Sequence, residues 1–435
     1  MSDHHTPPGL SRRAFLRSAG LAAGALAAAP LLTATPAWAA GPKPAGLLPA
    51  GRDLLTIGVL LPRSTIYPAL GSNFLAGMQL YFNQAANGAP PTVRLVAEDS
   101  GFGQAQATEA AQKLLDGDKA ALVVGLGNPM LAGMLRGLFQ ARRTFFLAAG
   151  LGENVPRQSA DSAYIFHHSL GAWQGAWALG QWAATHLGRR AAVATSFYDS
   201  GYDAPAAFHL GFTAAGGTVT TTQTTHLLAN SPALPAVLAE IAATRPDFVY
   251  ASYCGPAAVD FVRAYAQAGP LARTPLLGGA FLAGEAALPT LGKAALGIKS
   301  ALGWTPALET AENRAFLAAY AKQTGQVADS LALLGYETAH LAATALAAVA
   351  GDAGRINDLR AALAATAWIG PRGPIAMDAQ THCTNGPLYL REVQVRGGAL
   401  ANVPVTALPA AGTQDTGAGL RTAIKTGWVN AYLSV

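Results

Sequence analysis

The chain has 435 residues, of which 51% are hydrophobic and 12% are charged, and its formal net charge is +5. This composition excludes a disordered chain and fits two domains with large buried cores. The only long, nearly uncharged apolar run without a periodic pattern is residues 18–40, so a protein with several membrane spans is excluded as well.

The first 39 residues are predicted to be an export signal. Residues 11–16 (Ser-Arg-Arg-Ala-Phe-Leu) precede an Ala- and Leu-rich stretch, and Ala37 and Ala39 supply the small residues that signal peptidase needs. The motif resembles the twin-arginine signal, which implies export of a folded protein. We therefore expect a periplasmic protein; the alternative is an uncleaved N-terminal anchor.

Charge and cysteine content narrow the possible partners. Loss of the signal removes three arginines and one aspartate, which lowers the charge from +5 to +3, with no basic cluster for nucleic acid. Cys254 and Cys383 form either one disulfide or two buried thiols. Two cysteines alone cannot complete a zinc site, and no cofactor or metal is predicted.

The first half of the chain alternates between strand and helix patterns after a flexible leader at residues 40–52. Apolar runs of strand length alternate with helical stripes, which is typical of a doubly wound parallel sheet. The predicted strands are 54–61, 92–97, 120–124 and 144–148, and the predicted helices are one from Phe74, 104–115 and 130–140.

The pattern restarts after a short strand at 163–168 and predicts a second α/β domain of similar size. Its predicted helices are 172–187, 204–215, 235–243 and 257–268, and its predicted strands are 191–196, 218–225, 248–252 and 275–278.

The remaining chain is predicted to join these domains into two doubly wound parallel-sheet lobes with a three-segment hinge. Residues 297–304 cross between lobes, helices follow at 310–324, 330–349 and 356–366, and residues 372–377 and 388–395 form a final strand pair. A three-segment hinge permits closure around a ligand. The predicted divisions are lobe 1 at 53–168 plus 305–372, lobe 2 at 169–304 plus 373–397, and a tail at 398–435 with a docked helix.

Residues 53–396 resemble the type I periplasmic binding proteins of ABC importers, in the leucine/isoleucine/valine-binding branch. The resemblance rests on the order and spacing of several short stretches rather than on one motif. These are Ile57-Gly58-Val59, Tyr67 with Leu70-Gly71, residues 93–100, 110–114, Phe166 with Gln174-Gly175, 246–250, 373–378 and 389–393.

The resemblance implies capture of a small molecule between closing lobes and delivery to the permease of an ABC importer. It implies no enzyme activity, no nucleic-acid partner, a monomer, and membrane contact only through the permease. The alternatives are a ligand-sensing module of the same fold that reports to a receptor or regulator, and an exported hydrolase. No Gly-x-Ser-x-Gly motif supports a hydrolase.

The loops that bind a free amino acid in this family differ in this chain. The carboxylate loops match Asn128 and its neighbours, then Ala149 and Gly150, where the expected hydroxyl groups are missing. The amine-binding acid should fall near Ala280, and Glu285 can replace it only if its loop curls back. A buried ammonium without a partner costs several kcal/mol, so a zwitterion is disfavoured.

Apolar and aromatic residues dominate the predicted strand ends instead and favour a hydrophobic or aromatic ligand. Each could equally serve ordinary packing, and Arg63, which could meet a carboxylate, could be a solvated surface residue. The predicted contacts on these loops, besides those named above, are Arg63, Ser64, Tyr67, Phe102, Tyr198, Tyr202, Tyr253, Phe281 and Trp304.

Overall fold

The computed structural model describes residues 54–63, 69–86, 92–101, 103–126, 129–150, 162–196, 203–225 and 234–409. The strands in this part of the chain are Leu55–Leu61 (β1), Val93–Asp99 (β2), Leu122–Leu126 (β3), Phe146–Gly150 (β4), Ile165–Ser169 (β5), Arg190–Ser196 (β6), Thr218–Thr225 (β7), Phe248–Ser252 (β8), Leu276–Gly278 (β9), Lys299–Leu302 (β10), Ala367–Gly370 (β11), Gly373–Asp378 (β12), Cys383–Asn385 (β13), Leu388–Arg396 (β14) and Ala399–Leu408 (β15).

Helices connect most of the parallel strands. They are Ala69–Ala86 (α1), Gln104–Gln112 (α2, continued by a π turn at Lys113–Gly117), Pro129–Arg142 (α3), Ala172–His186 (α4), Asp203–Ala214 (α5), Leu234–Ala243 (α6), Gly255–Ala266 (α7), Leu288–Leu291 (α8), Ala311–Thr324 (α9), Ser330–Ala348 (α10) and Ile356–Ala364 (α11). Short 3₁₀ turns lie at Gly269–Arg273 and Gly292–Ala295.

These strands form two sheets that share one topology. The first sheet has the order β11-β12-β13-β5-β4-β3-β1-β2, and the second has the order β15-β14-β10-β9-β8-β6-β7. In each, five parallel strands follow a 2-1-3-4-5 pattern, and later strands extend one edge. The predicted pair of doubly wound sheets is confirmed.

Both faces of inner parallel strands such as β1 and β8 are buried, which explains their nearly continuous apolar sequences. In the first sheet, Val59 and Leu147 face a core formed with α1, α9, α10 and α11, while Leu60 and Phe146 face α2 and α3. The second sheet is likewise covered by α4 and α5 on one face and by α6 and α7 on the other.

Helix α10 is the central helix of the first core. It is long and apolar enough to pass for a membrane span, but most of its residues are buried inside the fold. Its N-cap is Asp329, whose side chain accepts hydrogen bonds from the backbone of Leu331 and Ala332. This satisfies two of the N–H groups that a helix start leaves without partners.

The predicted final strand pair is wrong. Strand β12 pairs antiparallel with β11 and β13 in the first sheet, whereas β14 pairs with β10 and β15 in the second. Ile375 and Met377 of β12 pack in the first core, while Val393 of β14 packs in the second. Strand β12 forms its hairpin with β13 instead, and the chain leaves the first sheet after β13 and enters the second at β14.

The beginning of the predicted tail is a strand, not turn-rich chain. Gly397 and Gly398 have φ values of 58° and 84° and form the two-residue turn of a hairpin, because both positions require left-handed backbone. The turn places Ala399 opposite Arg396, and β15 then pairs along β14. The predicted docked helix lies outside the described residues.

One cysteine lies in the first sheet and the other lies just beyond a strand of the second. Cys383 is buried in β13, where its thiol donates to the carbonyl of Thr381 at 3.2 Å. Cys254 follows β8 and is the N-cap residue of α7. Both are thiols, but only Cys383 is buried and Cys254 is half-buried, so the alternative of two buried thiols holds in part.

Candidate ligand-binding site

The topology indicates where a ligand would bind. Strand order reverses at β1 and β3 in the first sheet and at β6 and β8 in the second. Ligands of open α/β sheets bind beyond the carboxyl ends of the strands at such reversals. The predicted contacts follow these and neighbouring strands. Ser64, Tyr67, Phe102, Asn128, Tyr198 and Tyr202 lie outside the described residues, so their roles stay predictions.

Arg63 lies directly beyond β1 and is exposed. Its backbone N–H donates to the carbonyl of Leu61 and to Oδ1 of Asp99, both at 3.0 Å. The same carboxylate oxygen accepts from the backbone of Gly101 at 3.0 Å. Asp99 therefore ties together the chain ends that follow β1 and β2, and the Arg63 guanidinium stays in solvent beside them.

Two of the predicted contacts lie at the end of β4. Ala149 is 2% exposed and packs in the first core, while Gly150 is half-buried and is paired with Ser169 in the sheet. With so little exposed surface, the Ala149 methyl group serves the core. Gly150 offers backbone rather than a side chain at this strand end.

Tyr253 follows β8 and is 3% exposed. Its ring stacks on Phe261 of α7 at a centroid distance of 4.5 Å, and its hydroxyl accepts from Thr225 Oγ1 at 3.3 Å. The ring is thus held by the second core, and its hydroxyl by the end of β7.

Ala280 and Phe281 follow β9 but pack with apolar residues of the first core. Trp304 follows β10, is 0% exposed, and donates through Nε1 to Oδ1 of Asn313 at 2.8 Å. The loop after β9 therefore faces the first sheet, whereas Trp304 is an interior residue between α9 and the crossing segment.

A buried arginine, which sequence reasoning did not single out, holds the loop after β9. Arg391 of β14 is fully buried and donates to the carbonyls of Ala280 (2.8 Å) and Trp304 (3.1 Å) and to Ser300 Oγ (3.0 Å). Burial lowers the pKa of Arg391, and the charge of Glu285, 3.5 Å away, opposes that shift. The strand also carries Glu392 and Arg396, so the sequence carried no sign that Arg391 was the buried charge.

The loop does bring Glu285 back towards the end of β9, but the Glu285 carboxylate contacts protein groups there. Besides Arg391, its carboxylate accepts from Asn402 Nδ2 at 3.1 Å and from Ser330 Oγ at 3.2 Å. Asn402 also donates to the carbonyl of Ala283 at 2.9 Å. Both oxygens of Glu285 therefore already accept hydrogen bonds from protein groups, and Arg391 compensates the charge of the carboxylate.

A second buried charged cluster joins the segments that cross between the sheets. Glu337 of α10 accepts from Arg372 Nε at 2.9 Å and from His168 Nε2 at 3.1 Å, and Arg372 also donates to the carbonyl of Ser169 at 3.0 Å. Burial alone would raise the pKa of Glu337, but Arg372 and His168 outweigh it and the pKa is lowered. Burial lowers the pKa of His168, although Glu337 opposes this.

This cluster also lies against the other crossing segments. A Cβ added at Gly303 would lie 2.8 Å from Arg372 Nη1, and one added at Gly386 would lie 2.9 Å from it. The signal that the sequence carried was Glu337 itself, a carboxylate in a helix whose neighbours are nearly all apolar.

Comparison with known proteins assigns the fold to a family. The sequence profile described as periplasmic binding protein matches residues 55–399. A Leu/Ile/Val-binding protein homolog from Brucella melitensis is 28% identical over 354 residues, which is 78% of this chain and 88% of that protein.

Solved structures agree with the profile. A solute-binding protein of an ABC transporter from Rhodopseudomonas palustris in complex with 3,4-dihydroxybenzoic acid has a TM-score of 0.74 and 26% identity, over 82% of this chain and 98% of that one. Another from R. palustris, in complex with benzoate, has a TM-score of 0.71 and 28% identity, over 82% and 99%. With the two sheets and the extent of the profile match, these findings establish that this chain belongs to the periplasmic binding protein family.

Proposed function

We propose that this protein is a periplasmic solute-binding protein that captures a small aromatic carboxylate between its two sheets and delivers it to the permease of an ABC importer. The observation that carries the ligand class is the engagement of Glu285 by Arg391, Asn402 and Ser330. Glu285 is the acid that could have replaced the family's amine-binding residue, so a ligand with an ammonium group lacks its expected partner.

Aromatic and cationic groups at the strand ends favour an anionic ring compound. The exposed Arg63 guanidinium lies beside the end of β1 and suits bidentate binding of a carboxylate. Phe281 of the second-sheet loop faces the first sheet and offers a ring surface. The two R. palustris proteins, which bind benzoate and 3,4-dihydroxybenzoic acid, support the same ligand class.

The twin-arginine signal at residues 1–39 would direct the chain to the periplasm, where it acts as a monomeric carrier without catalytic activity. We propose two lobes with the predicted boundaries, except that residues 373–385 join lobe 1 and residues 398–408 join lobe 2, since β12 and β13 belong to the first sheet and β15 to the second.

A thermal-shift titration tests the ligand class. Benzoate and 3,4-dihydroxybenzoate are expected to raise the melting temperature, because a ligand at 100 times its Kd adds about 2.7 kcal/mol to the free energy of unfolding. Leucine serves as the comparison because the Brucella relative is named as a Leu/Ile/Val-binding protein homolog. Strong stabilisation by leucine with none by the benzoates would overturn the argument from Glu285.

A further inference from the structure

Buried side chains of the second sheet hold the loop after β9 through polar contacts. Within residues 276–285, the backbone carbonyls of Ala280 and Ala283 accept from the side chains of Arg391 and Asn402. Arg391 is 0% exposed and Asn402 is 1% exposed. The second sheet therefore fixes the path of this loop at two points.

Glu285, at the end of the loop, reaches the opposite sheet. Its Oε2 accepts from Ser330 Oγ at 3.2 Å, and Ser330 is the first residue of α10, which packs on the first sheet. The Glu285 side chain is 11% exposed and Ser330 is 3% exposed, so this hydrogen bond is largely shielded from water. Hydrogen bonds to a shielded carboxylate are stronger than neutral ones.

The contact continues towards the other predicted ligand loop. Asp329, next to Ser330, accepts through Oδ2 from Asn73 Nδ2 at 2.7 Å. Asn73 lies in the first two turns of α1, the helix that follows the loop carrying Arg63, Ser64 and Tyr67. The start of α10 thus contacts both the end of the loop after β9 and helix α1.

We infer that Glu285 is a positioning residue for ligand capture, which holds the second-sheet loop carrying Ala280 and Phe281 against the first sheet through Ser330. The bond lies outside the ligand contacts and acts on the separation of the two sheets. Its expected effect on affinity rests on the proposed function, whereas its effect on the separation of the sheets does not.

The test uses Ser330→Ala in the full chain, which removes the bridging hydroxyl and leaves the Arg391–Glu285 ion pair in place. Small-angle X-ray scattering without added ligand is expected to give a larger radius of gyration than for the wild type. Benzoate, titrated by calorimetry, is expected to bind about tenfold more weakly, because a hydrogen bond to a shielded carboxylate is lost.

The matched control is Thr324→Ala. This hydroxyl donates to the carbonyl of Tyr320 and accepts from the backbone of Gln326, so its loss changes contacts on the first-sheet side only. Its radius of gyration and benzoate affinity should equal those of the wild type, and a cooperative melting transition shows that each variant is folded.

The outcomes separate the two proposals. An unchanged radius of gyration in Ser330→Ala overturns the role of Glu285, whatever the ligand proves to be. A larger radius in Ser330→Ala, combined with no benzoate binding by the wild type, supports the role of Glu285 and overturns the proposed ligand class.

Discussion

Charged and titratable side chains are fully buried next to the crossing segments, and each is held there by its partners. Glu337 is 0% exposed, yet Arg372 and His168 donate to its Oε2. Its Oε1 makes no hydrogen bond within the described residues. Breaking a buried ion pair by removing one partner leaves an uncompensated charge, typically at a cost of about 3–5 kcal/mol. The cluster therefore constrains which residues these positions can carry.

His340 extends this cluster and makes stability depend on pH. Burial lowers the pKa of His340 to about 4, although Glu337 opposes the shift. The unfolded chain binds this proton below about pH 6.5 and the folded protein only near pH 4. The free energy of unfolding is therefore expected to fall as the pH drops through this window, and at pH 5 the loss from His340 is about 2 kcal/mol.

The substitution His340→Phe tests this contribution with urea unfolding at pH 7 and pH 5. Phenylalanine keeps the stacking on Trp368, whose ring lies 4.9 Å away, and removes the titrating group. The loss of stability between the two pH values should shrink by about 2 kcal/mol. The control is His186→Phe, on an exposed ring stacked on Trp182 at 4.7 Å. A wild-type pH dependence in His340→Phe would contradict the prediction.

At the scale of elements, the closest approach in the first core is that of α1 and α10. A Cβ at Gly77 would lie 1.9 Å from the carbonyl oxygen of Ala332, and one at Gly335 would lie 1.9 Å from that of Phe74. Real Cβ atoms do not approach oxygen so closely. Each glycine therefore permits the other helix to pack directly against its backbone.

Gly77→Ala is expected to lower the free energy of unfolding by about 3 kcal/mol, because the two helices must separate to admit the methyl group. Gly137→Ala is the control, since a Cβ at that position of α3 has no atom within 4 Å. Alanine is the better helix former, so the control should gain up to about 1 kcal/mol. Urea denaturation of both variants measures the difference, and equal stabilities would show that α1 and α10 can shift without cost.

The elements predicted well from sequence are those with strong local patterns. Strands β7 and β8 lie at the predicted residues, because Thr-rich or fully apolar runs between turn signals indicate strands by themselves. The pairing of β12 depended on which core accepts Ile375 and Met377, a choice between distant parts of the chain that no local pattern encodes.

The sequence supported a prediction of which loops form the candidate site, but not of the contacts that hold those loops. Alternating strands and helices predicted parallel sheets, and the strand order in the structure indicates the edge where ligand loops would lie. The bonds from Arg391 to Ala280 and from Glu285 to Ser330 join residues 111 and 45 positions apart. Such contacts depend on the folded arrangement of several elements, so the sequence offered only the position of each charge.

For the whole molecule, the crossing segments meet at Gly303. A Cβ there would lie 2.7 Å from the carbonyl oxygen of Leu170, 2.8 Å from Arg372 Nη1 and 3.1 Å from the carbonyl oxygen of Pro387. Leu170 follows β5 and Pro387 precedes β14, so each belongs to a different segment that runs between the sheets. The backbone of Gly303 also donates to Leu170 at 2.9 Å.

Gly303→Ala is therefore expected to force these segments apart. We expect a loss of about 1–3 kcal/mol in the free energy of unfolding. We also expect weaker binding of the ligand that raises the melting temperature, because separating the segments at Gly303 changes the orientation of both sheets. Gly117→Ala, where a Cβ has no atom within 4 Å, is the control. Unfolding and ligand titration of both variants measure these two effects. If Gly303→Ala has the stability and ligand affinity of the wild type, the added methyl group does not force the segments apart.

The strand orders of the two sheets have a consequence for synthesis in the cell. The first sheet contains β11, β12 and β13, which are translated only after the parallel strands of both sheets, and the second sheet gains β14 and β15 later still. The emerging chain cannot complete the first sheet before the ribosome has produced most strands of the second sheet. Completion of both sheets is thus a late, post-translational event that depends on contacts between distant parts of the sequence. A secretion route that accepts only folded proteins would suit such a chain.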